Sequence, residues 1–403
     1  MKILLLTPDL PYPSESGAAI RNIGLIRGLA RARRRVTLLS FTEQTVDAET
    51  NPLYQLCERV ESVGLPRRGI GRRLAMLLLS GRADIESRLA SRAFDRKLGD
   101  LLGAHEFDLV QFSGIELGHY LPSIRAKARS AKIIYDALNA EAELQRLVAQ
   151  VERRDRRRLP AAIYSTIQSR RLARYEGAIC RKVDAVLAVS DEDRRLLERY
   201  GGAPIHVLPN GVAAADYAPP AESTRAPAQL VFSGKMDYRP NVDAVEWFNA
   251  AVFPRIRQRY PEASLLIAGR NPQERIQALA SDSRITVTGW VDSIQPYLHK
   301  ASIYIVPLRM GSGTRLKILQ AMAARCAVVS TSVGAAGLKD EARAALCIAD
   351  GAEAFAEAVS ALLADEERRR ELGARAERVA KEYYDWSALT PRLLRVYAEM
   401  GLG

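Results

Sequence analysis

Short apolar runs alternate with stretches of helical spacing along this chain, and they do so in two separate series. The first series places β-like runs at 3–7, 36–41, 109–112, 132–136 and 185–189, with helical periodicity over 18–33. The second places them at 230–234, 264–269, 285–289, 303–307 and 327–330. Strands that alternate with helices pair in parallel, and a parallel sheet is covered by helices on both faces. The pattern therefore predicts an α/β chain of two doubly wound, Rossmann-like domains.

A stretch rich in Ala and Pro at 213–228 separates the two series and reads as a linker. At 403 residues the chain is too long for one ordinary core, which agrees with two domains. The expected division is 1–212, then the linker 213–228, then 229–385, with an amphipathic helix at 386–403 packing back on the first domain. Doubly wound sheets bind ligands beyond the carboxyl ends of their strands. The expected site is a central cleft faced by both domains, with Gly17 on one side and the 311–315 turn on the other.

The stretch 308–323 reads as strand, glycine turn and helix, with Arg315 and Lys317 at the helix start. A helix start normally prefers Asp or Glu, because its free N–H groups and its dipole are positive. Two cations there point to an anionic guest, and a diphosphate fits. Glycine turns also open helices in many α/β proteins without binding anything, so the cations carry this reading.

Net charge is +12, which suits nucleic acid, an anionic membrane or phosphorylated substrates. The chain has no zinc-ligand spacing, no RNA-binding strand signature and no basic helix ahead of a dimerising heptad, so nucleic acid is not expected. The four cysteines, Cys57, Cys180, Cys326 and Cys347, lie far apart and read as reduced core thiols of a cytoplasmic protein. No apolar run approaches the roughly 20 residues needed to span a bilayer. Arginine concentrates at 67–79, at 153–158 and at Arg170, Arg171 and Arg174. These stretches fit peripheral contact with the anionic inner face of the cytoplasmic membrane. Equally, residues 74–79 fit packing inward beneath merely solvated arginines.

Seven motifs in order resemble the family-4 glycosyltransferases of the GT-B fold over nearly the whole chain. They are Thr7-Pro8 with Gly17, the segments 189–193 and 208–212, 232–236 with Pro240-Asn241, 267–272, 289–292, and the 308–323 stretch. Similar chains are bacterial sugar transferases tied to exopolysaccharide or exported-glycoconjugate synthesis. The resemblance implies transfer of a sugar, with retention, from a UDP-, GDP- or TDP-linked donor to a glycan, lipid-linked or small-molecule acceptor, with neither metal nor cofactor. It places the donor on the second domain, at Gly234, Lys235, Arg239, Arg270, Val291, Gly311, Ser312, Gly313, Thr314, Arg315, Leu316, Lys317 and Gln320, with Gly17 reaching it from the first. Lys235 and Arg315 would stabilise developing phosphate charge, and Asp136, Asn139 and Glu141 would position substrate. Asp136 reads equally well as a strand-end helix cap.

The chain departs from the family pattern at four places. Ser312 and Gln320 stand where two glutamates are usual, and Asn241 stands where a second lysine is usual. Leu138 stands where relatives carry a histidine close to the transferred sugar, and leucine neither hydrogen-bonds a hydroxyl nor carries a proton. His119 lies near an expected strand end, but a lone histidine is more often structural, and none of His105, His119, His206 and His299 is a convincing replacement. These departures keep a second reading open: a catalytically impaired GT-B protein that binds nucleotide or sugar and supports a partner enzyme. A GT-B epimerase is disfavoured, since its acid–base chemistry needs cleft carboxylates together with a histidine.

Overall fold

The computed structural model describes residues 1–13, 16–43, 49–66, 80–153, 159–311 and 314–403. It divides into two units, Met1–Gly211 with Leu389–Gly403, and Val212–Ala388. Each is described by itself.

The first unit is built on seven parallel strands: β1 (Lys2–Thr7), β2 (Arg35–Thr42), β3 (Arg59–Gly64), β4 (Leu109–Ser113), β5 (Lys132–Ala137), β6 (Ala185–Ala188) and β7 (Ile205–Val207). Their order is β3-β2-β1-β4-β5-β6-β7. The interior strand β1 is apolar on both faces, and Ile3, Leu4, Leu5 and Leu6 are all buried, as a strand sandwiched between helix layers requires. Chain direction across the sheet reverses between β1 and β4, so the loops after those strands diverge and leave a crevice at their carboxyl ends.

The helix Gly17–Arg31 starts after Ser16, whose hydroxyl accepts from the Ala19 N–H at 3.0 Å and donates to Asp9 at 2.5 Å. Its Gly28 lets the chain's last helix, Trp386–Glu399, come close. A Cβ on Gly28 would lie 2.2 Å from Thr390 Oγ1. Further along that helix, the Tyr397 hydroxyl donates to Gln111 on β4 at 2.6 Å.

The second unit carries six parallel strands: β8 (Gln229–Ser233), β9 (Ser264–Ala268), β10 (Ile285–Gly289), β11 (Ile303–Val306), β12 (Ala327–Ser330) and β13 (Cys347–Ile348). Their order, β10-β9-β8-β11-β12-β13, repeats that of the first unit, with the reversal between β8 and β11. Arg225 donates to the carbonyls of Leu298, Ala301, Ala324 and Arg325, which ties the approach to β8 onto the sheet's lower edge. Among the described residues, no helix is long and apolar enough to cross a membrane.

Candidate functional site

In the second unit the strand ends nearest the reversal are drawn together by glycines. After β8 the chain turns at Gly234 (φ +147°), and after β9 at Gly269 (φ +151°), both in a region that side-chain-bearing residues rarely occupy. A Cβ on Gly269 would stand 1.8 Å from the Gly234 carbonyl oxygen, so the two turns pack backbone on backbone. The Gly234 N–H donates to Ala268 at 2.9 Å and the Gly269 N–H to Gly289 at 3.0 Å, lacing three strand ends into one rim.

Lys317 reaches this rim from the second position of the helix Leu316–Ala323. Its Nζ donates to Asn241 Oδ1 at 2.8 Å and sits 4.1 Å from the centre of the Phe232 ring. Asn241 in turn donates from Nδ2 to the Lys235 carbonyl at 2.9 Å. The absent second lysine of the family pattern is thus an amide that aims Lys317. Gly234 is small for the same reason, since its Cβ would lie 2.8 Å from Lys317 Nζ. Burial, then the charge of Arg315, holds the Lys317 amine well below the usual lysine value.

Arg315 folds back over the turn at Gly311 (φ +133°), whose Cβ would meet its Nη2 at 2.1 Å. It occupies the N-cap of the helix Leu316–Ala323, and its own side chain makes no capping hydrogen bond there. Thr314 is buried and donates from Oγ1 to the Gly337 carbonyl at 3.1 Å. Ser312 and Gly313 lie outside the described residues. Helix start, Arg315 and Lys317 bring positive potential to one turn, an arrangement that binds anions.

The remaining residues expected on the donor side line the same edge. Lys235 is exposed and pairs with Asp237 at 3.3 Å. Arg239 opens the helix Arg239–Trp247, and the Arg270 carbonyl accepts from the Met236 N–H at 2.8 Å. Val291 follows the turn at Gly289, beside the exposed Trp290. Gln320, one turn beyond Leu316, is buried and donates from Nε2 to the Tyr217 hydroxyl at 2.8 Å. Gly17 is the exposed first residue of its helix in the first unit.

In the first unit, Asp136 is fully buried at the end of β5. It accepts from Arg21 Nη2 at 2.7 Å and from Arg21 Nε at 3.0 and 3.2 Å. Arg21 Nη1 donates onward to the carbonyls of Leu208 and Pro209, both at 3.0 Å. The carboxylate is therefore turned into the core and engaged by a guanidinium, and sequence reasoning missed Arg21 altogether. A buried arginine has no pattern of its own in a helix whose other inward residues, Asn22 apart, are apolar or glycine.

Leu138 and Glu116 meet at Gly114 (φ +91°), at the carboxyl end of β4. A Cβ there would lie 3.0 Å from Glu116 Oε2, 3.7 Å from Leu138 Cδ1 and 4.0 Å from Pro8. Asn139 donates from Nδ2 to Glu141 Oε1 at 3.0 Å. Glu176, fully buried, accepts from the Glu141 N–H at 2.9 Å and from the Tyr200 hydroxyl at 3.1 Å. Burial and then the charge of Glu116 push the Glu141 carboxyl up to about 8, and burial pushes Glu176 up to about 7. Glu116 is raised as well, again chiefly by burial, with Arg88 opposing. Among the described residues, no three His, Cys, Asp or Glu side chains gather as they would around a metal ion. The arginine-rich stretches 67–79 and 154–158 lie outside the described residues.

Two six-stranded or larger parallel sheets of the same order, each with its polar residues at the carboxyl edge, define the GT-B class of fold. Two family models match the chain: "Glycosyl transferase 4-like domain" over residues 16–211 and "Glycosyl transferases group 1" over residues 227–365. The chain belongs to the family-4 glycosyltransferases.

Among its relatives, the phosphatidyl-myo-inositol mannosyltransferase of Mycolicibacterium smegmatis is 30% identical over 246 residues, which is 58% of this chain and 62% of that protein. The lipopolysaccharide core biosynthesis mannosyltransferase LpcC of Rhizobium leguminosarum bv. viciae is 26% identical over 224 residues, 50% of this chain and 61% of that one. The match thus spans less than two thirds of the length of these curated relatives. Sucrose-phosphate synthase from Thermosynechococcus elongatus has the same fold at a TM-score of 0.73, with 18% identity over 99% of both chains. Anabaena HepE, solved in complex with UDP, follows at a TM-score of 0.65, with 13% identity over 99% of this chain and 100% of that one.

Proposed function

We propose that this protein transfers a sugar, with retention at the anomeric carbon, from a nucleotide-sugar donor to a hydroxyl of a glycan, lipid-linked or small-molecule acceptor. The donor would bind the second unit, which spans most of 229–385, and the acceptor the first. The observation that carries this reading is the turn where Lys317, aimed by Asn241 across Gly234, and Arg315, folded over Gly311, converge at the start of the helix Leu316–Ala323. The leaving nucleoside diphosphate gains negative charge as the bond to the anomeric carbon breaks. Preplaced cations and N–H groups stabilise that charge more in the transition state than in the ground state. Lys235, Arg315 and Lys317 take this role, while the donor's own phosphate helps to remove the acceptor proton.

Mannosyltransferases among the relatives and UDP in a structural neighbour support a nucleotide sugar as donor. In the first unit Asn139 and Glu141 would contact substrate at the carboxyl edge. Asp136 would position the edge through Arg21. A second reading, a nucleotide-binding protein that supports a partner enzyme, is favoured by one observation: Leu138 stands beside Gly114 where the family pattern has a histidine.

The test is thermal shift against UDP-, GDP-, ADP- and TDP-sugars, followed by transfer and donor hydrolysis for each hit. A ligand at about 100 times its Kd adds about 2.7 kcal/mol of stability. Absence of stabilisation by any nucleotide refutes both readings. Stabilisation without transfer, persisting in Leu138→His with Gln320→Glu while a partner enzyme is still bound, favours the second.

A further inference from the structure

Among the described residues, the large aliphatic side chains left exposed are Leu159 (52%), Ile163 (57%) and Ile167 (40%). All three lie on the helix Leu159–Cys180, each four residues from the next. At 3.6 residues per turn they trace one stripe, and Arg170 and Arg174, both exposed, continue it within an arc of about 80°. The opposite side of the helix seats it on the fold through buried Ser165, Gln168, Leu172, Glu176 and Ile179. The helix therefore has an inner face that is satisfied and an outer stripe that is aliphatic at its start and cationic further on. Its one acidic residue, Glu176, is buried on the inner side. Among the described residues neither Arg170 nor Arg174 forms an ion pair.

We propose that this outer stripe docks on an anionic lipid leaflet. A leaflet presents an apolar layer beside negative phosphates, and a helix lying in its plane sinks aliphatic side chains at the acyl boundary while arginines reach the headgroups. The stripe offers both features in line, on a chain of net charge +12. A second copy is a poorer occupant. Stacked along this stripe in either direction, two copies bring the arginines together with aliphatic residues or with one another, and no carboxylate from either stripe meets them.

The experiment uses the full chain with vesicles of phosphatidylcholine alone and of phosphatidylcholine mixed with phosphatidylglycerol, read by co-sedimentation at low and high salt. The wild type is expected on the phosphatidylglycerol vesicles, and salt releases it. Ile163→Asp with Ile167→Asp, and separately Arg170→Glu with Arg174→Glu, should each lower binding by at least about tenfold. Circular dichroism and nucleotide-induced thermal shift should match the wild type, which separates this outcome from failure of the transferase reading. Binding that is absent, indifferent to lipid charge, or undiminished in both variants overturns the proposal. So does a wild-type dimer by light scattering that becomes a monomer in Ile163→Asp with Ile167→Asp, which would make the face a homodimer interface.

Discussion

Arg21 and Asp136 form a bidentate ion pair with both side chains at 0% accessibility, and the same guanidinium holds the Leu208 and Pro209 carbonyls. One arginine thereby joins the first helix, the end of β5 and the segment that leaves β7. Asp136→Ala would strand that guanidinium in the core, and breaking one side of a buried pair costs about 3–5 kcal/mol. Urea unfolding should show the loss, with Asp136→Asn milder because one acceptor oxygen remains. Near-wild-type stability in Asp136→Ala would show that Arg21 finds another partner.

Glycine is required by different things at different turns. Gly234→Ala drives a methyl to 2.6 Å from Asn241 Nδ2 and 2.8 Å from Lys317 Nζ at φ +147°, so it should misplace the cation and weaken nucleotide binding by about tenfold or more. Gly269→Ala meets the Gly234 carbonyl oxygen at 1.8 Å and should fail to fold stably. Gly201→Ala at φ +64° has nothing within 4 Å and should cost only the backbone strain, about 1–2 kcal/mol. Isothermal calorimetry with a nucleotide and thermal melts rank the three.

Lys317 releases its proton at a lower pH in the folded chain than in the unfolded one. Between those two values the unfolded state holds more protons, so stability without ligand should rise with pH across that window. Lys317→Met should flatten the rise. Diphosphate restores the charge, so on the alkaline side of the lowered value binding takes up a proton. Calorimetry in buffers of different ionisation enthalpy detects this, and equal uptake in Lys317→Met would assign the proton elsewhere.

Glu176 runs in the opposite direction. Its carboxyl is raised from 4.5 to about 7, so the folded state holds the extra proton between those values. The stability this contributes is full below 4.5 and disappears as pH rises through about 7. Glu141, raised to about 8, extends the decline. Denaturant midpoints across this range should fall with pH in the wild type and fall less in Glu176→Gln. Parallel curves would place the titration on another group.

The strands that the apolar runs marked at the start are β1, β2, β4, β5, β6, β8, β9, β10, β11 and β12, all of them interior except the edge strand β10. Three were not marked. β3 is an edge strand and partly exposed throughout, while β7 and β13 span three and two residues, so none carries a long apolar run. Glycine turns with adjacent cations made Lys317 and Arg315 legible, because helix starts disfavour positive side chains. The family pattern marked Asn241 and Leu138 only as departures.

The sequence by itself determined the two parallel-sheet units, the strand ends at which polar residues gather, and the cationic helix start, because each is set by residues close together along the chain. Tertiary structure alone decided what those residues do. Asp136 meets Arg21 across 115 positions and Lys317 meets Asn241 across 76. Glu116 comes to Leu138 over Gly114 only because β4 and β5 are neighbours in the sheet. Periodicity records which face of an element is buried, and it contains nothing about which polar group the other element brings there.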